Sequence, residues 1–316
     1  MRLRLLVVLL LAAGCEEHAN TLVPVASDVA QGRSLREARK GFKTKLVRLE
    51  QEQEAAAPPP VDLFQIVYYD SPAGELVAYL NRPAQDGAKH PAIIWILGGF
   101  DNSIGDSAWV PAGADNDQSA SAFRQAGIVM MYPSLRGGNL NPGHKEAFFG
   151  EVDDVLAAAD FLRKQHFVDP KRIYLGGHGT GATLAMLISE SSGYFRAVFA
   201  LGPTDDVTGY GEHVLPFDLK NPVEFELRSP KHWLASIRSP TFVFEGTREP
   251  THLPALQNMA QSNSNPAVQF IPVQDKDHFS VIAPLTRLIA NKILDDTNKE
   301  ANISFPAGEL RLKNDP

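Results

Sequence analysis

Alternating apolar and polar positions organise the chain after residue 60. Residues 64–70 and 74–83 alternate around a Ser-Pro-Ala-Gly turn at 71–74, which predicts an antiparallel pair of strands. Short apolar runs, typical of buried strands, follow at 92–97, 127–133, 172–177, 197–202, 241–246 and 268–273. Helical spacing predicts helices at 117–126, at 150–165, from Thr180 onward, at 252–262 and at 281–295. This alternation predicts an α/β fold, a mostly parallel sheet with helices on both faces.

The segment before residue 60 follows a different pattern. Residues 16–34 are polar and mixed, as in a tether, and apolar residues from Leu35 to Glu54 recur at helical spacing. That spacing predicts one amphipathic helix, which Ala-Ala-Ala-Pro-Pro-Pro at 55–60 ends. We therefore expect a leader at 1–15, a tether and helix at 16–60, and one domain at 61–316. Within that domain, residues 203–238 interrupt the alternation and are expected to form a small cap.

The first residues predict a secretion signal with a lipid anchor. Arg2 and Arg4 precede a short apolar run at 5–11, which is too short to span a bilayer and fits a signal-peptide core. Small residues then lead to Cys15, the only cysteine of the chain. The pattern resembles a bacterial lipoprotein signal with Cys15 as the lipidated residue. We expect a protein of the cell envelope, held at the outer membrane by its lipid; an ordinary cleaved signal is the alternative.

Composition narrows the classes of partner. The chain has 316 residues, 44% of them hydrophobic, and a formal net charge of −7. A mildly acidic protein has no long-range field that attracts nucleic acid, so no nucleic-acid partner is expected. A single cysteine excludes an internal disulfide and a cysteine-based metal cluster. We expect no metal and no cofactor.

The glycine-rich turn at 177–181 carries the first candidate chemistry. It follows a predicted strand and begins a predicted helix, as does the nucleophile elbow G-x-S-x-G. Gly177 and Gly181 supply the small flanks that such an elbow needs, but Gly179 occupies the position of the nucleophile. Glycine accepts the strained backbone of the elbow without a hydroxyl to attack a substrate. Thr180 is placed to donate its backbone N–H to an oxyanion hole.

The same turn also fits a dinucleotide-binding fingerprint. Gly177, Gly179 and Ala182 satisfy G-x-G-x-x-G/A after a strand and before a helix. Asp205 or Asp206 lies where a ribose-binding acid is sought. This alternative explains the turn and one aspartate, and nothing further along the chain.

Distant residues favour the hydrolase interpretation. Gly98-Gly99 ends a buried strand, where a second oxyanion-hole donor is expected, and we assign that role to Gly99. Glu249 follows a later strand at the position of a triad acid, with Asp275 and Asp277 as alternatives. His278 follows the last strand as the triad histidine. The order 179, 249, 278 is that of α/β-hydrolases.

Longer stretches resemble one family within this fold. "FRQAGIVMMYPSLRGG", "GEVDDVLAAADFL", "VDPKRIYLGGH" and "DHFS" are similar to the catalytic domain of prolyl-oligopeptidase-like serine hydrolases, over about residues 63–296. The resemblance implies an α/β-hydrolase fold and a peptide, amide or ester ligand. The chain departs from the family's elbow G-x-S-x-G-G at Gly179 and Ala182, and too little sequence precedes Pro60 for the family's β-propeller.

The missing hydroxyl predicts a weak or silent hydrolase that still binds a ligand. The alternatives are an active hydrolase that uses water activated by His278, and a dinucleotide-binding protein. Other polar residues of the region have structural interpretations. We expect His178 to pack, Arg136–Asn139 to rim a pocket or cap a strand, and the acidic residues at 151–154 to cap a helix.

Overall fold

A computed structural model of the chain describes residues 32–84, 86–110, 112–306 and residue 310. The predicted leader with Cys15 and most of the predicted tether lie outside the described residues. Within the described ranges, every helix is too short or too polar to cross a membrane.

The elements after residue 60 follow the predicted alternation of strands and helices. The strands are β1 Phe64–Ser71, β2 Gly74–Asn81, β3 His90–Ile96, β4 Val129–Pro133, β5 Val168–His178, β6 Val198–Leu201, β7 Thr241–Gly246 and β8 Val268–Val273. The helices are α1 Leu35–Arg39, α2 Ala122–Gln125, α3 Glu151–Arg163, α4 Thr180–Ser191, α5 Pro222–Glu226, α6 Leu253–Ser262 and α7 Ile282–Asp295. The predicted helix at 117–126 is shorter than expected, since only its last part is helical.

One eight-stranded sheet runs in the order β1-β2-β4-β3-β5-β6-β7-β8. β1 and β2 form the predicted antiparallel pair, β2 also pairs antiparallel with β4, and the remaining neighbours are parallel. The expected mostly parallel α/β sheet is therefore confirmed. The order also differs from the 3-2-1-4-5-6 arrangement of dinucleotide-binding Rossmann domains.

Helices cover both faces of the sheet. The two faces of β3 show why: Ile94 and Ile96 enter the core that α3 and α4 cover, whereas Ile93 and Trp95 enter the core that α2 and α7 cover. Side chains alternate across a strand, so a strand buried on both faces reads as a continuous apolar run. The parallel strands end at one edge of the sheet, and the loops there build the site described below.

The predicted helix over 35–54 is wrong beyond Arg39. Ser34 and Glu37 form a capping box that begins α1, and Gly41 follows its end with φ +80°. A glycine with positive φ just past the last turn is a common helix stop. Leu35 and Ala38 are buried, so the short helix still packs its apolar face against the domain.

Residues 44–52 form an extended strap that lies against the domain. The Val47 N–H donates to Pro216 O at 2.7 Å, and the Asp218 N–H donates to Lys45 O at 2.9 Å. The Glu52 N–H donates to Gly137 O at 2.7 Å. These backbone groups bond to the cap and to the loop after β4 instead of to one another. The helix predicted from the apolar spacing does not form here, and Leu49, which that spacing placed on a buried helix face, is 70% exposed.

The cap at 203–238 consists of short 3-10 turns and the helix α5, and one buried arginine holds it in place. Arg228 is fully buried and donates to Glu224 Oε2 at 2.6 Å, Ala147 O at 2.8 Å and Thr44 Oγ1 at 2.7 Å. Its guanidinium lies 4.3 Å from the centroid of the Phe217 ring. Arg228 thus joins the cap, the loop before α3 and the strap.

We predict that Arg228→Met strongly destabilises the protein. The substitution keeps an apolar stem but leaves the fully buried Glu224 carboxylate without its cation. Loss of one partner of a buried ion pair costs about 3–5 kcal/mol. Urea denaturation of the variant should show this loss, whereas Arg82→Met, at an exposed position, should stay within about 0.5 kcal/mol of wild type. An unchanged unfolding midpoint for Arg228→Met contradicts the role given to this side chain.

Candidate active site

The glycine-rich turn is a tight strand-to-helix elbow. β5 ends at His178, α4 begins at Thr180, and Gly179 between them has φ +55° and ψ −116°. A Cβ at Gly177 would lie 2.6 Å from the Gly181 carbonyl carbon, and a Cβ at Gly181 would overlap Ile96 O. Both flanking positions therefore need glycine, as the elbow template predicts.

Gly179 differs from its neighbours because it has space for a side chain. A Cβ at this position would meet only one atom within 4 Å, His278 Nε2, at 3.6 Å. A positive φ favours glycine here, but the surroundings leave room for a larger residue. The nucleophile position of the elbow thus faces the imidazole with nothing between them.

The structure brings His278 to the elbow, as the sequence predicted, and pairs it with a buried carboxylate. His278 Nδ1 and Glu245 Oε2 lie 3.0 Å apart, and Glu245 is fully buried near the end of β7. Glu245 Oε1 accepts a hydrogen bond from the Gly246 N–H at 2.7 Å. Since Nδ1 is engaged with Glu245, the ring presents Nε2 towards Gly179.

The acid predicted from the sequence, Glu249, does not contact His278 in this way. Glu249 lies in the exposed loop after β7, and Asp275 is exposed as well. Asp277 Oδ1 accepts from the Phe279 and Ser280 N–H groups, which holds its own turn. Sequence reasoning missed Glu245 because it lies inside a predicted strand and not in the loop after it. A single charged residue in an otherwise apolar strand is the signal that could have found it.

Two further histidines surround His278. The ring centroids of His178 and His252 lie 4.4 and 4.3 Å from that of His278. His178 Nε2 donates to His278 O at 2.9 Å and its Nδ1 lies 3.0 Å from the amide nitrogen of Gln118. The neutral imidazole satisfies both bonds, because its Nδ1 accepts. His252 and Gln118 carry no motif and were missed by sequence reasoning.

Burial keeps two of these histidines neutral. Desolvation, and then the nearby His278, lower the pKa of His178 to about 3. Desolvation, followed by His278, also lowers the pKa of His252. Two neutral rings beside His278 add little positive charge to the site at neutral pH.

The predicted oxyanion-hole residues lie together beside the elbow. The Thr180 hydroxyl donates to Gly99 O, and Gly99 has φ +111°. Thr180 is the first residue of α4, so its N–H has no partner inside the helix. Both residues line one cleft, which gives the site an edge with backbone donors.

Among the described residues, Glu245, His252 and His278 are a set that could surround a metal ion, with ligand atoms within 4.8 Å of one another. Each already has another partner. Glu245 and His278 bond to each other, and His252 Nδ1 donates to Gly202 O at 3.1 Å. The arrangement is therefore that of a hydrogen-bonded histidine–glutamate pair.

The polar residues around Arg136 hold loops in place. Arg136 donates to both carboxylate oxygens of Asp154 at 2.9 Å and to Glu146 Oε1 at 2.8 Å. Asp153 pairs with Arg39 of α1 at 2.9 Å. These bonds tie the segment after β4 and α1 to the start of α3.

A family model matches the part of the chain that contains the elbow. Residues 115–248 match the family model described as the prolyl oligopeptidase family. This match identifies a prolyl oligopeptidase family domain over residues 115–248. The predicted resemblance is thereby confirmed, and so is the α/β-hydrolase fold.

Solved structures with this fold include peptidases and an esterase. Dipeptidyl peptidase 4 of Porphyromonas gingivalis is 17% identical, with a TM-score of 0.57 over 73% of this chain and 35% of that one. A puromycin-hydrolyzing peptidase of Mycobacterium tuberculosis is 17% identical, with a TM-score of 0.59 over 74% and 39%. An esterase of Pyrococcus furiosus is 17% identical, with a TM-score of 0.58 over 78% and 97%.

This chain therefore spans well under half the length of the two peptidases, and nearly the whole length of the esterase. No curated protein sequence gives a significant match.

We predict that His178 makes the protein less stable in acid. Its folded pKa of about 3 lies below the ordinary value of 6.5, so the unfolded chain takes up a proton that the folded chain does not. The free energy of unfolding then falls as pH decreases from 6.5 towards 3, by up to about 1.4 kcal/mol per pH unit. Urea denaturation of His178→Gln at pH 7 and pH 5 should show a smaller pH dependence than wild type. The exposed His166→Gln should keep the wild-type dependence; equal dependence in all three proteins contradicts the assignment.

Proposed function

We propose that this prolyl oligopeptidase family domain binds a peptide, amide or ester ligand at Gly179, Glu245 and His278, and hydrolyses it weakly or not at all. The observation that carries the proposal is the glycine at the nucleophile position. A Cβ built on Gly179 would lie 3.6 Å from His278 Nε2. The binding half of the site is retained, while the group that would form a covalent intermediate is absent.

The chemistry follows from the roles in a serine hydrolase. A serine Oγ attacks the carbonyl, and the histidine takes the hydroxyl proton while a carboxylate orients the ring. His278 and Glu245 have the geometry for the last two roles, with Nδ1 and Oε2 at 3.0 Å. Without Oγ, no acyl-enzyme forms. Binding and oxyanion stabilisation alone leave rate enhancements of roughly 10³ to 10⁴ over water in hydrolases that lack triad members.

A second candidate function is slow hydrolysis by water. The space beside His278 Nε2 favours it, because a water there lies within reach of the imidazole as general base. This candidate differs from pure binding in one respect: it requires His278. Any turnover by the wild-type protein should therefore disappear in His278→Ala.

The proposal includes a location in the cell envelope. Arg2, Arg4 and the apolar run at 5–11 lead to Cys15 in the manner of a lipoprotein signal, which supports a lipid-anchored protein. Incorporation of a labelled fatty acid into the full-length protein, but not into Cys15→Ser, is the expected result. Labelling of both proteins, or of neither, overturns this part of the proposal.

We predict that Gly179→Ser gains reactivity towards a fluorophosphonate probe. The serine side chain would point at His278 Nε2, which can take its proton. Wild type, Gly179→Ala and Gly179→Ser/His278→Ala are the matched controls and should stay unlabelled. Because φ at this position is +55°, the serine should also cost about 1 kcal/mol of stability, measurable by urea denaturation.

Two outcomes contradict the proposal. Labelling of wild type at the rate of Gly179→Ser shows that another residue serves as nucleophile. A folded Gly179→Ser that remains unlabelled shows that the His278 and Glu245 pair does not activate a hydroxyl at this position.

A further inference from the structure

A small cleft lies beside the predicted oxyanion-hole residues. Gly99 and Thr180 are among its lining residues, and its walls are largely apolar, with Phe100, Phe148 and Leu184 contributing to them. Its volume is about 40 Å³. A cavity needs about 10–15 Å³ of such space for one water molecule, so the cleft accommodates a group of only a few heavy atoms.

A buried carboxyl group interrupts these apolar walls. Glu151, at the start of α3, lines the cleft and is 2% exposed. Its Oε1 accepts from the Asn102 side chain at 3.0 Å and from the Glu146 N–H at 2.7 Å, which fixes the position of the group. Its Oε2 is buried and has no hydrogen-bond partner among the described residues. A buried acceptor without a donor is costly, and a ligand donor would remove that cost.

The guanidinium groups of Arg136 and Arg228 lie close enough to Glu151 for electrostatic attraction, but each is hydrogen-bonded to another carboxylate. Arg136 pairs with Asp154 and Glu146, and Lys145, which also lines the cleft, pairs with Glu50 at 3.3 Å. Asp101 adds a second carboxyl group to the lining. Among the described residues that line the cleft, two are acidic, Asp101 and Glu151, and the one basic residue, Lys145, is paired with Glu50. The charge of the cleft suits a cationic ligand.

We propose that the cleft binds the primary ammonium group of a small aminoacyl ligand, with Glu151 Oε2 as the acceptor. The ligand carbonyl would then lie at Gly99 and Thr180, and a short apolar linker would contact Phe100 and Phe148. This inference rests on the proposed function and specifies its ligand as an amine-bearing amide or ester.

The test is a comparison of matched small amides with the full-length wild-type protein. Glycinamide, β-alaninamide and 4-aminobutanamide present an ammonium at increasing distance from the carbonyl; the corresponding hydroxyamides replace it with a neutral hydroxyl. Dissociation constants come from ligand-observed NMR titrations. For at least one linker length, the ammonium compound should bind about tenfold more tightly, as a charge-assisted hydrogen bond predicts.

Two variants locate the effect. Glu151→Gln keeps an oxygen for Asn102 and the Glu146 N–H but replaces the acceptor, and it should reduce the tenfold preference to below about threefold. Glu75→Gln removes an exposed carboxylate and should leave the preference unchanged. Val214→Trp places a large side chain at the part of the cleft that the cap lines. This variant should weaken binding of the ammonium and the hydroxyl compounds alike, since it leaves Glu151 unchanged.

The outcomes separate this inference from the proposed function. Equal binding of ammonium and hydroxyl compounds by a folded wild type overturns the inference, as does an ammonium preference that persists in Glu151→Gln. Labelling of Gly179→Ser by the fluorophosphonate probe in the same preparation leaves the proposed function standing in either case. An ammonium preference without such labelling supports the cleft and rejects the hydrolase-like role of Gly179.

Discussion

The close packing of backbone at the elbow is the constraint on which the site depends. Gly177 and Gly181 bring β5, the start of α4 and the end of β3 together at distances that no Cβ allows. This contact aligns Gly99 with Thr180 and turns position 179 towards His278. A glycine at 179 leaves all of these contacts intact, since nothing but His278 lies near its missing side chain. The backbone of the site therefore does not depend on which residue occupies the nucleophile position.

Sequence reasoning was accurate where backbone geometry dictates residue type. The elbow glycines, the alternation of strands and helices, and the position of His278 after the last strand all follow from local rules. The acid was different, because its identity depends on the direction of one side chain. Glu245 and Glu249 both lie near the end of β7, and only burial distinguishes the inward-facing carboxylate from the exposed one.

The strap shows the limit of periodicity. Apolar residues at helical spacing between 35 and 54 predict a helix, yet the backbone of 44–52 finds its partners in the cap and in the loop after β4. Tertiary hydrogen bonds here prevail over the helical preference of the sequence. Gly41, with φ +80°, was the local sign that the helix stops. The same limit applies to His252, which reaches His278, and to Gln118, which reaches His178, only through the folding of separate loops.

The bonds of Arg228 have a consequence for how a ligand reaches the site. A cap that swung open would carry Arg228 and its partner Glu224 together, but it would break the hydrogen bonds from Arg228 to Ala147 O and Thr44 Oγ1. These bonds hold the cap in place beside the cleft, which Val214 and Pro216 of the cap help to line. Since the cap is tied to the strap and to the loop before α3, a ligand meets a wall of the cleft that is already in place, and the shape of that wall contributes to discrimination among ligands.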